Sequence, residues 1–365
     1  MVKRRITTEN IVDIERSLSS YKDLNPVVDL LSYLEDVKVE GRVKHKTLFV
    51  LQRTFANLIA QNRVFGQRNV EDSDAVKLTK KWLLDKYVKF ILICGQLLFS
   101  PEHSLRITAL HISMSLLRTE SSYISNKTSP PTPQFAIETF RRIIRALLLE
   151  NPMIDDVRNE FLDKWPGKCD DIRYFFLKES IQLFSEFDKD HKPRPVNLTP
   201  NVLSILERLF TMPTEQSEIN EFWIPEMGIM DKPAKDSNIE QSKLDTNDWT
   251  VYFDQLAELE KNNQKDEKEK EKDNKKFKSR DTISLSAHRA MYSGCWLTML
   301  KSPFGLSQSE NKRSLLVLHQ LVIPFLKPSE RASLADWLSD CCDSGGVNAL
   351  LALNSLWRLI RDHNL

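Results

Sequence analysis

Glycine is too scarce in this chain to support much besides helices: nine occur in 365 residues. β-rich folds need glycine at tight turns, and dinucleotide-binding folds need it where backbone approaches phosphate. Hairpin signals of the Asn-Gly or Asp-Gly kind are absent from the sequence. Apolar residues recur instead at steps of three and four, the period of a helix with one buried face. The sequence therefore reads as all-α.

Local patterns place the helices. Leu48, Leu51, Phe55, Leu58 and Ile59 share a stripe about 100° wide, which predicts a helix over 43–63. A longer, more apolar helix is expected over 74–99, and Leu105, Leu110, Met114 and Leu117 continue the pattern beyond Pro101. Ser129-Pro-Pro-Thr-Pro133 stops the next helix, because consecutive prolines lack donors and fix φ. Asn151-Pro152, Pro166-Gly167 and Lys192-Pro-Arg-Pro195 mark further breaks, with helices over 169–187 and 198–210. Moderate helices joined by short breakers describe an irregular stack of antiparallel helix pairs, of the HEAT/armadillo-like helical-repeat kind, without a fixed period.

Three regions follow from composition. Residues 1–224 form the helical-repeat region. Residues 225–280 are a polar, charged linker or insert. Within it Trp249, Tyr252, Phe253 and Leu256 resemble a short docking helix, and 258–280 alternate Lys, Glu and Asp. Such a run buries too little apolar surface to offset its ordering entropy, so it is expected to be a flexible insert or an extended polar helix. A Lys-rich import or RNA-contact element is the alternative. Residues 281–365 form a second helical unit, with helices expected over 288–300, 315–325 and from Pro328, and a last one over 347–362. Leu334, Leu338 and Cys341 are expected to face inward, and Asp343 and Ser344 to cap the last helix.

Charge excludes a dedicated nucleic-acid-binding domain. Lys and Arg against Asp and Glu number 32 to 30 in 1–224, 12 to 14 in 225–280 and 8 to 7 in 281–365. Any RNA contact is therefore local. Lys77, Lys80 and Lys81, and Arg141, Arg142 and Arg145, are the basic clusters that qualify, although acids flank them and no aromatic pattern accompanies them. No catalytic constellation, metal-ligand spacing or phosphate-loop signature stands in the sequence, so no catalytic, cofactor-binding or metal residues are expected, and no cofactor. Five cysteines read as buried free thiols, and the scattered histidines as surface or half-buried. The charged start carries no secretory signal, and Phe90–Phe99 is too short to span a bilayer.

The last segment carries the sharpest signal. Asp343-Ser-Gly-Gly346 reads as a tight interhelical turn, one glycine at positive φ and the other allowing close backbone approach. In the helix that follows, apolar residues from Val347 to Ile360 cover about 280° of the circumference at about 100° per residue. A helix so apolar must be covered by a partner or by a further helix, and Leu353, Leu356, Trp357 and Ile360 are the face assigned to that contact.

The motifs Leu321-Val-Ile-Pro-Phe-Leu326, Leu334-Ala-Asp-Trp-Leu338, Asp343-Ser-Gly-Gly-Val347 and Leu350-Leu-Ala-Leu-Asn-Ser-Leu-Trp357, closing on His363-Asn-Leu365, together resemble the CCAAT-binding-factor-type family of nucleolar ribosome biogenesis proteins. Pro324, Asp336, Asp343, Gly345, Gly346, Leu350, Leu351 and Leu353 are the positions that carry the resemblance. It implies a nuclear, nucleolar, non-catalytic assembly factor of the small-subunit processome, needed for 18S rRNA maturation and the 40S subunit. It further implies nucleolar protein 14 as a partner, indirect contact with pre-ribosomal RNA, and no membrane or small-molecule substrate. Family members continue past this Asn-Leu with further helices, which implies a C-terminally truncated member. A DNA-binding transcription regulator and a helical transport adaptor are the competing classes.

Overall fold

The computed structural model describes residues 8–19, 23–65, 74–127, 132–228 without 190 and 192, and 282–363 without 283 and 304. Trp249 to Leu256 and the charge run over 258–280 lie outside these residues. Thirteen α-helices and no strands occur among them. They are α1 (Thr8–Ser19), α2 (Pro26–Glu35), α3 (Gly41–Ala60), α4 (Asp74–Leu97), α5 (His103–Ser125), α6 (Ile137–Leu149) and α7 (Asp155–Lys164). After α8 (Asp170–Lys189) and α9 (Leu198–Leu206) come α10 (Leu285–Leu300), α11 (Gln308–Leu321), α12 (Pro328–Asp343) and α13 (Gly346–His363).

The expected stripe of α3 is the centre of the first half. Leu48, Leu51, Phe55, Leu58 and Ile59 are all fully buried, and α3 packs on α1, α2 and α5. Phe55 lies 5.5 Å from both Tyr87 and Phe90 of α4, so α4 closes over the same core. Helices then follow in order, α4 on α5 and α6, α5 on α7, and α6 and α7 on α9. Proline stops the chain after α5, and two buried serines of α5 organise the turn: Ser121 Oγ accepts the Ala136 N–H at 3.0 Å and Ser125 Oγ accepts the Gln134 N–H at 2.8 Å.

One pairing departs from the antiparallel expectation. Tyr174 meets His288 ring to ring at 5.6 Å, and a Cβ on Gly294 would stand 3.3 Å from Ile181. Beyond the end of α8, Arg194 reaches the carbonyls of Thr298 and Met299 at 2.8 and 3.1 Å. Residue numbers rise together along the two helices, so α10 lies parallel to α8. A parallel neighbour requires the chain to return to its starting end, and residues 207–228 do so.

Two buried carboxylates at the start of α8 hold that return. Asp170 accepts the N–H groups of Asn220 and Glu221 at 2.9 and 3.0 Å. Asp171 accepts those of Trp223 and Ile224 at 3.0 and 2.9 Å, while burial still pushes its pKa up to about 6. Met227 is buried and Glu226 accepts Ser122 Oγ at 2.9 Å, so residues 225–228, expected in the insert, belong to the folded body.

Arg194 does more than mark a turn. Paired with Asp188 and stacked 4.3 Å over the Phe184 ring, its guanidinium caps the carbonyl end of α10, where a cation also meets the helix dipole favourably. Arg313 pairs with Glu207 at 2.8 Å and joins α11 to the end of α9. The buried apolar residues consequently form one continuous core from α1 to α13. His288, expected at or near the surface, is fully buried with Nε2 donating to the Thr282 carbonyl at 2.9 Å, and burial lowers its pKa. The cysteines are free thiols, four buried and Cys342 half-buried; burial pushes Cys94 up to about 12.

Glu120 is buried where α4, α5 and α6 meet, accepting from the Tyr87 hydroxyl at 2.9 Å and the Thr139 hydroxyl at 2.7 Å. Burial pushes its carboxyl up to about 7 against the pull of those two bonds. The folded chain thus keeps a proton that the unfolded chain has released. Its contribution to stability is complete below the ordinary value of 4.5 and is lost as pH rises through about 7. Urea unfolding at pH 5 and pH 8 should show the parent losing more stability on the alkaline side than Glu120→Gln, which is neutral throughout. Equal losses would contradict this origin.

Candidate interaction surface

The turn into α13 needs both of its glycines for the same reason. Gly345 has φ +74° and Gly346 φ +67°, in the left-handed region that L side chains rarely adopt. A Cβ at either position would meet nothing within 4 Å, so the close backbone approach expected of one glycine does not occur. Asp343 is the last residue of α12 and Ser344 its C-cap, its N–H bonded to the Asp340 carbonyl at 3.2 Å. Neither caps the start of α13, which begins one residue earlier than expected, at Gly346.

Helix α13 packs on both α11 and α12. Ala352, Ser355 and Leu359 are fully buried against them, and Leu351 and Leu356 are partly buried. The opposite side is apolar as well. Val347, Leu350, Leu353, Trp357 and Ile360 are 59, 70, 53, 61 and 51 % exposed. Their steps of three, three, four and three keep them on one face, since a helix turns about 100° per residue. Single exposed apolar residues are ordinary, whereas five sharing one helix face is the kind of grouping that interaction surfaces show.

The other expected residues lie apart from this stripe. Pro324 is exposed in a 3₁₀ turn over Ile323–Phe325, and Asp336 lines a polar groove with Trp337, Asp340 and Ser344 beside the end of α10. Leu356 stands on the flank of α13, half-buried, and Val347 and Leu350 extend the exposed face beyond the residues first assigned to it. Buried Leu334, Leu338 and Cys341 give α12 its inner face. Arg141 is held by Glu138 and Glu179, and Arg145 by Glu186, so two of the three arginines of that cluster are paired within the fold. Among the described residues no group of three or more His, Cys, Asp or Glu is placed to hold a metal, and no helix is long and apolar enough to cross a membrane.

Comparison with known proteins finds a family match in the first half of the chain. Residues 4–189, which contain α1 to α8, match the family described as nucleolar complex protein 4-like, TPR repeats. The chain belongs to this family. Among its relatives, the human nucleolar complex protein 4 homolog is 22% identical over 96% of this chain and 59% of its own length. The Xenopus laevis homolog B is 23% identical over 95% of the chain and 57% of its length. A Schizosaccharomyces pombe protein named only as uncharacterized is 25% identical over 97% and 61%. The chain thus spans about three fifths of the length of these relatives.

Exposure and burial on α13 separate two kinds of substitution. Leu353→Glu and Trp357→Glu should leave the melting transition of the isolated chain within about 0.5 kcal/mol of the parent, as surface changes do. Leu359→Ala, on the buried side, should cost about 2–5 kcal/mol. Gly346→Val should cost at least about 1–2 kcal/mol, because valine is forced into the left-handed region. Thermal and urea unfolding check all four, and comparable losses on both faces would show that the stripe is buried in solution.

Proposed function

We propose that this chain is a non-catalytic nucleolar scaffold in ribosome biogenesis, acting within the small-subunit processome on 18S rRNA maturation and 40S assembly. The observation that carries the reading is the exposed stripe of α13, held rigidly on a stack of helices in a member of the nucleolar complex protein 4-like family. Relatives named nucleolar complex protein 4 homologs support the nucleolar setting. Nucleolar protein 14 is the partner we assign to the stripe.

The mechanism on this reading is passive. A scaffold gains from rigidity because a preorganised face loses little entropy on binding. The described residues up to 228 and from 282 act together as the rigid part, and the charged stretch within 229–280 acts as an insert between them. Trp357 and Leu353, central in the stripe, are the expected anchors, since buried aromatic and apolar centres carry most binding energy.

Depletion with complementation tests this. Loss of the protein should lower 18S rRNA and accumulate its uncleaved precursors while the large-subunit rRNA is spared, and a copy carrying Leu353→Glu and Trp357→Glu should fail to rescue despite normal abundance. Normal 18S rRNA after efficient depletion would overturn the assignment.

A further inference from the structure

Beside the apolar stripe of α13 runs a row of carboxylates on α12. Asp336, Asp340 and Asp343 are all exposed, and steps of four and three put them on one helix face. That face is turned away from the buried Leu334, Leu338 and Cys341. Among the described residues none of the three pairs with a cation, and Lys301, which lines the groove beside Asp336 and Asp340, forms no ion pair with them. The position is unfavourable for α12 itself. Unpaired carbonyls make the end of a helix negative, so the favoured residues there are cations. Asp340 and Asp343 stand in the last turn of α12, and that turn holds no basic residue. A local rule broken without local compensation points to a use elsewhere.

The row adjoins the stripe. Helices α12 and α13 turn back on one another through Ser344 and Gly345, and the Cys342 thiol, next to Asp343, donates to the Ala349 carbonyl, next to Leu350, at 3.9 Å. Both faces stand opposite the buried sides of their helices, so carboxylates and stripe lie side by side toward solvent. At about 1.5 Å per residue the stripe from Val347 to Ile360 is about 20 Å long. Within it Leu350, Leu353, Trp357 and Ile360 recur at steps of three, four and three, the seam spacing of paired helices. Helix α13 has no carboxylate before Asp362, which pairs with both of its arginines, Arg358 and Arg361.

We propose that one basic amphipathic helix of a partner protein covers this surface, its apolar residues along the stripe and its Lys or Arg side chains over Asp336, Asp340 and Asp343. Seam spacing selects a helix over an extended peptide. The carboxylates select a cationic flank and repel phosphate, which turns nucleic acid away from this face. The inference rests on the reading of the stripe as a partner surface and adds what kind of segment the partner supplies.

The test is fluorescence anisotropy on the purified chain with two labelled helix-forming peptides of about five turns. They share one leucine face, flanked by Lys in the first and by Glu in the second. The Lys peptide should bind at least about tenfold tighter, and its affinity should fall as salt rises. Asp336→Asn, Asp340→Asn and Asp343→Asn together should remove most of that preference. The same triple change should raise the melting temperature of the free chain, because the conflict with the helix dipole is gone. Leu353→Ala with Trp357→Ala should weaken both peptides alike and leave the preference in place. Asp163→Asn, at an exposed carboxylate of α7, should change nothing. Melting curves confirm that each variant is folded. Equal affinity for the two peptides, a Lys preference that survives the triple change, or binding indifferent to Leu353→Ala with Trp357→Ala would overturn the proposal. So would tighter binding to oligouridine than to the Lys peptide. Normal 18S rRNA after depletion would remove the assembly role and leave this preference standing.

Discussion

The parallel seam between α8 and α10 is the contact on which the rest of the molecule depends. It fixes the last four helices on the first nine, and thereby sets where α13 stands. Tyr292, Cys295, Trp296, Met299 and Leu300 of α10 are buried at 2 % exposure or less. Burying each large side chain of this kind contributes about 1.5–3 kcal/mol before entropy is counted. Polar contacts then set register: Arg194 at one end takes the last carbonyls of α10, and at the other Gln216 accepts the Leu285 N–H at 3.0 Å. Remove the seam and the stripe on α13 loses its fixed position.

Much of this was legible in residue order, and what was not has identifiable causes. The all-α class, the stripe of α3, the inner face of α12 and the proline breaks follow from local periodicity and backbone chemistry. The parallel course of α10 does not. It depends on Asp170 and Asp171, which read as an ordinary acidic helix start until their partners fifty residues away are seen. Arg194 was hidden in the same way, between two prolines that suggested only a turn. A nearer signal stands in the sequence itself: Ser307-Gln-Ser-Glu310 is a capping box, and it starts α11 at Gln308, seven residues before the expected Leu315.

The candidate surface was half visible. An over-apolar final helix is plain from its sequence, but a helical wheel does not say which side its neighbours take. The structure gives Ala352, Ser355 and Leu359 to α11 and α12 and leaves the Val347-to-Ile360 stripe to solvent. The two glycines likewise needed coordinates, because positive φ and close approach call for the same residue. Charge balance over 224 residues likewise averages over helices as uneven as α3, with four Lys and Arg and no carboxylate, and α4, with five Lys and two Asp.

The central claim is that residues before and after the insert form one body, with α13 carried rigidly at its edge. A protease site placed within 229–281, cleaved in the folded protein and followed by gel filtration at physiological salt, tests it most directly. The account predicts that the two fragments elute together at the size of the uncut chain and that Arg194→Ala with Arg313→Ala weakens their association. Separation of the parent fragments at micromolar concentration would contradict it.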